Sequence, residues 1–163
     1  MTYSDDEPRR FNPLGFITLI LSIAAIALAG WTLYRVDFAK EDGYDAIQRA
    51  DAKVKICAAV EVVRRGVSLN TNLAPVGGPS DVTGSQAVAA NARVSLYDGG
   101  QYLMAKLDPA TPDDLAGKVR EFANDLMDIG ANATAGAPNE DPDQAKRLKD
   151  ADAANTAITE LCK

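Results

Sequence analysis

From Leu14 to Leu33 the chain reads LGFITLILSIAAIALAGWTL, twenty residues without a charge. At about 1.5 Å of helical rise each, they span roughly 30 Å, the hydrocarbon thickness of a bilayer. The segment predicts an N-terminal transmembrane helix over 14–34, preceded by a short cytoplasmic tail at 1–13 and followed by an extracytoplasmic domain at 35–163. Arg9 and Arg10 ahead of an apolar run ending in Ala27-Leu28-Ala29 also fit a secretory signal peptide cleaved after Ala29. Against cleavage, the apolar run continues through Trp31, Leu33 and Tyr34, past the length of a signal core, and sets Trp and Tyr where an interfacial aromatic belt lies. An uncleaved signal anchor is the expectation.

Lys and Arg near the two ends are almost balanced, with Arg9 and Arg10 on one side and Arg35 and Lys40 on the other, so the positive-inside rule gives no orientation. Cysteine usage does. Cys57 and Cys162 are the only cysteines, both beyond the anchor, and such a pair can join in an oxidising exterior. We therefore expect a Cys57–Cys162 disulfide and a domain facing outward from the plasma membrane; two buried free thiols are the alternative. The small residues Ala25, Ala29 and Gly30 would let anchors approach one another, without a glycine pair at the spacing of tight dimers.

Residues 35–163 hold 15 Lys and Arg against 20 Asp and Glu. That balance argues against nucleic acid and against anionic headgroups as electrostatic partners. The length suits one hydrophobic core. Alanine-rich, aromatic-poor composition suits closely spaced helices better than a sheet.

Four amphipathic helices are legible. The first, 44–69, places Ile56, Val60, Val63 and Val67 on one face, and ends at the turn-rich NTNLAPVGGPSDVTG. The second, 85–107, carries Ala89, Leu96 and Leu103 seven apart, with a kink expected at Gly99-Gly100. The third opens with Thr111 as cap, Pro112 at the first helical position and Asp113-Asp114 against the helix dipole; Leu115, Val119, Phe122, Leu126, Ile129 and Ala133 then form a core stripe. The fourth repeats that start with Asp141 and Pro142, and its face is Leu148, Ala151, Asn155, Ile158 and Cys162. Short connections favour an antiparallel four-helix bundle, all-α, over a parallel sheet with helical crossovers. The disulfide strains this scheme, because full-length antiparallel helices would set Cys162 beside Tyr44. Reaching Cys57 requires the fourth helix to slide toward the 70–84 loop.

The chain has no His, which removes the commonest general base and metal ligand. No enzyme and no cofactor are expected. Glu121, Asp125 and Asp128 lie at i, i+4 and i+7 and could hold a hard cation, but charge runs on amphipathic helices are ordinarily solvated faces, and that is the expectation here. Gly77-Gly78-Pro79 lacks the strand and the Lys-Ser or Lys-Thr of a phosphate loop, and Asn132-Ala133-Thr134 matches a glycosylation acceptor in only three residues. Arg64-Arg65 reads as a C-terminal pair serving the last carbonyls, with Glu61 and Arg65 paired, and Asn155 as either a polar core contact that fixes register or a residue at the edge of the stripe.

Residues 86–126, QAVAANARVSLYDGGQYLMAKLDPATPDDLAGKVREFANDL, resemble the alanine-rich ectodomains of small single-pass envelope proteins of mycobacteria and their relatives, a family of unknown function. The resemblance implies a domain facing the cell wall. Two functions follow as expectations. The first is a non-enzymatic accessory or scaffold docking on a larger envelope complex. The second is a carrier or sensor binding a lipid or other apolar molecule in a groove between helices. An interhelical cavity of about 300 to 1,000 Å³ would favour the second.

Overall fold

The computed structural model describes residues 22–32 and 43–163. The chain divides into two units, Met1–Gly43 and Tyr44–Lys163. Within the first, residues 22–32 are helical and exposed. The remainder of the expected anchor, the 1–13 tail and residues 35–42 lie outside the described residues. Among the described residues no helix is long and apolar enough to cross a membrane.

The second unit is four helices: α1 (Ala46–Thr71), α2 (Val82–Lys106), α3 (Asp113–Thr134) and α4 (Pro142–Leu161). No strand occurs among the described residues. Each helix begins and ends for a local reason. At α1, Asp45 accepts from the Gln48 backbone N–H at 2.8 Å, and the Gln48 side chain accepts from the Asp45 N–H at 2.9 Å, a reciprocal capping box. Its other end is closed by three consecutive polar residues. Asn70, Thr71 and Asn72 donate back to the carbonyls of Gly66, Val67 and Ser68, supplying partners to acceptors that the last turn leaves bare. Asp81 caps α2 by accepting from the Gly84 N–H.

The two proline starts differ. At α4, Asp141 accepts from the N–H groups of Asp143 and Gln144 and Pro142 is the first helical residue, as its sequence indicates. At α3 the cap is Pro112 itself, with extended dihedrals of −50° and 135° and no side-chain cap bond. Thr111 does not cap. Its backbone N–H closes a turn onto Asp108, the residue is 3% exposed, and its hydroxyl is buried without a hydrogen-bond partner.

The helices alternate in direction. Val63 of α1 meets Gly99 of α2, Gly100 meets Ala123 of α3, Gly130 of α3 meets Leu96 of α2, and Gln144 of α4 donates to the Ile129 carbonyl. One core runs through all four, with Ile56, Val60, Leu103, Leu115, Val119 and Ile158 essentially sealed from solvent. The α3 stripe is buried from Leu115 to Ile129, with Ala133 half-buried at its end.

No kink forms at Gly99-Gly100, since α2 is continuous across both. These glycines serve packing between helices. A Cβ on Gly100 would lie 2.4 Å from the Ala123 carbonyl oxygen, and one on Gly99 would lie 2.9 Å from Val63 Cγ1. Gly100→Ala should therefore destabilise by about 1–3 kcal/mol despite alanine's better helix propensity, because backbone must move. Gly117, inside α3 with open space around it, is the internal control. There Gly→Ala should stabilise by up to about 1 kcal/mol. Urea unfolding of the two variants checks both signs.

Candidate functional site

The fourth edge of the bundle, between α1 and α4, is fastened differently from the other three. Cys57 and Cys162 are joined by a disulfide, with Cα atoms 5.9 Å apart. About two turns further along α1, Arg64 reaches across to α4: Nε donates to the Asn155 side-chain oxygen, and Nη2 donates to the Asn155 carbonyl at 2.7 Å and to Thr159 Oγ1 at 2.6 Å. The pairs 57/162 and 64/155 fix an antiparallel register in which α4 lies along the C-terminal half of α1. The required slide of α4 is thus present. The first six residues of α1 are exposed, and burial on this helix begins at Ala52 and Ile56.

This corrects the reading of Arg64-Arg65. Arg64 lies well inside α1, its partners are on α4, and its acidic neighbour is Glu61, 4.0 Å away at i, i+3. Asn155, half-buried, is a polar contact between helices and has the Arg64 guanidinium as its partner.

Beyond Arg64, toward the C-terminus of α1, a cleft of about 830 Å³ lies between the two helices. Its floor is apolar, formed by the edges of core residues Leu96, Phe122, Leu126, Ile129 and Ala151. Val67, Ser68, Thr71 and Asn72 of α1 form one wall, while Leu148, Asp152 and Asn155 of α4 form the other. Arg93 of α2 and the 137–139 connection close its far end. Leu148, expected in the core, is 38% exposed because it faces this cleft and α1 does not cover it. Gln144 takes the buried position instead, its amide donating to the Ile129 carbonyl at 3.0 Å as α4 docks on the end of α3. A buried amide with a partner avoids the cost of an unpaired one.

The acidic trio on α3 does not converge. Glu121 is ion-paired with Lys118, Asp128 is exposed, and no group of three or more His, Cys, Asp or Glu among the described residues is placed to hold a metal ion. Asp125 differs from its neighbours. One of its oxygens is buried without a hydrogen-bond partner, and burial, followed by repulsion from Asp150, Glu121 and Asp128, holds its carboxyl above the ordinary value, with Lys146 opposing weakly.

Comparison with protein-family models, curated proteins and solved structures finds no match for this chain.

The raised Asp125 value fixes a sign. Its ionised form is less favoured in the fold than in the unfolded chain. The resulting cost is absent at pH values below the unfolded carboxylate value, grows as pH rises through the window up to the raised folded value, and persists above it. Asp125→Asn should therefore raise Tm at pH 7, and the gain should shrink toward zero below about pH 4. Thermal unfolding followed by circular dichroism across that range checks it.

Proposed function

We propose that this chain is a non-enzymatic, membrane-tethered helical module of the cell envelope whose domain carries or senses an apolar ligand in the cleft between α1 and α4. The observation that carries the reading is the cleft itself. Its volume of about 830 Å³ falls in the 300 to 1,000 Å³ range of small-molecule sites, and its lining leaves Leu148 and Val67 partly exposed above a floor of core hydrophobes. Cofactor and ligand sites in bundles arise in this way, where facing helices are held apart. The uncharged run from Leu14 to Leu33 supports the tether, and the Cys57–Cys162 bond supports an oxidising exterior for the domain. The want of any His supports a binding role over a catalytic one.

A second reading, docking on a larger envelope complex, is favoured by one feature of α1. Ile47, Val54, Val62 and Leu69 recur at steps of seven, eight and seven on its outer face, and each is at least half exposed, from 50% at Val62 to 80% at Ile47. A stripe of this length at helical period, uncovered by the bundle, is a surface on which a partner helix could lie.

One experiment separates the two. The full chain, purified from its own membranes in gentle detergent, is weighed by native mass spectrometry. The cleft reading expects one lipid-sized adduct per chain that survives detergent exchange. The docking reading expects a stoichiometric protein companion that is lost in Val54→Lys or Val62→Lys variants. A bare monomer from native membranes overturns both.

A further inference from the structure

Resting on the cleft as a ligand site, we propose that its occupant is a single-chain amphiphile with an anionic head, the head held by Arg93 and the chain laid along the apolar floor. Two arginines line the cleft, and they are not equivalent. Arg64 is spent on Asn155 and Thr159, with Glu61 behind it. Arg93, half-buried on α2, has no ion pair or side-chain hydrogen bond to any of the described residues. A guanidinium partly withdrawn from water beside Leu96 and Ile129 gains from an anionic partner, and its planar fork suits a carboxylate or phosphate in two parallel hydrogen bonds.

Charge points the same way. The chain carries a net charge of −6, yet this cleft sets two arginines against the single carboxylate of Asp152. The floor and the volume decide the rest. A free carboxylate or phosphate would fill a small part of 830 Å³ and leave Leu148 and the half-buried Val67 facing water, so the anion must bring an apolar chain with it. A neutral alcohol of equal length would bury the same surface and leave Arg93 unpaired.

The test uses the full chain in phosphatidylcholine nanodiscs at about pH 8, where a free fatty acid is ionised. The probes are a photoreactive hexadecanoate and the matching hexadecanol, each bearing the same diazirine in its chain, with labelled peptides mapped by mass spectrometry. The acid should label cleft residues of α2, α3 and α4 about tenfold more than the alcohol, the effect of one charge-assisted contact. Arg93→Gln should bring acid labelling down to the level of the alcohol and leave the alcohol unchanged, while Arg93→Lys should retain part of the difference. Equal cleft labelling by both probes in the unaltered chain overturns the role given to Arg93 and leaves the apolar cleft standing. Labelling outside the cleft only, with either probe, overturns the ligand site as well. The comparison of acid with alcohol needs no variant, so a folding defect in Arg93→Gln cannot decide it.

Discussion

The bond between Cys57 and Cys162 sets the geometry on which the rest of this domain depends. An up-and-down bundle of four helices closes when its first and last members pack along their whole length. Here the disulfide pins the end of α4 to the middle of α1, 105 residues away in sequence, and Arg64 repeats the attachment two turns further along. In the chain-entropy picture a loop of this size gains up to about 4.7 kcal/mol from closure. That contribution is large beside the 5 to 15 kcal/mol that separates most folded domains from their unfolded chains. It permits α1 and α4 to be held as neighbours without side chains filling the space between them. The cleft is the consequence, and Leu148 lies exposed in it for that reason.

Packing on the opposite side is of another kind. Helices α2 and α3 approach so closely that Gly100 and Gly130 have backbone where a side chain would stand, Gly100 against Ala123 and Gly130 against Arg93. Close approach on one edge and separation on the other give a bundle that is dense through Leu103, Leu115 and Ile158 and open at Leu148 and Val67. Where the outer face of α1 carries its apolar stripe, the same helix supplies both a wall of the cleft and a candidate docking surface.

What the sequence disclosed, and what it hid, follows from the range of each interaction. Helix starts are local. Asp141-Pro142 is legible because cap, proline and the donating N–H groups of Asp143 and Gln144 lie within four residues. Thr111-Pro112 misleads by one position because Thr111 is buried against the fold and its hydroxyl is not available to the helix. The α3 stripe is legible because a period of 3.6 survives in any tertiary context. Gly99-Gly100 reads as a kink on propensity alone, since the carbonyl of Ala123 that the glycine admits lies 23 positions away. Arg64 shows the same blindness more strongly: its partners on α4 are 91 and 95 residues distant, so its apparent role falls to the nearest helix end. The disulfide was accessible from cysteine count alone. The cleft was not, because no residue lining it is unusual in type.

The bond between Cys57 and Cys162 in the protein as it occurs in the cell is the central claim. It is tested by blocking free thiols in intact cells, purifying the full chain without reductant, and mapping its proteolytic peptides by mass spectrometry. One linked peptide pair containing Cys57 and Cys162, with no blocked thiol on either, is the expected result. Both cysteines carrying the blocking group would contradict it, removing the fastening of α1 to α4 and the argument for an exterior domain together.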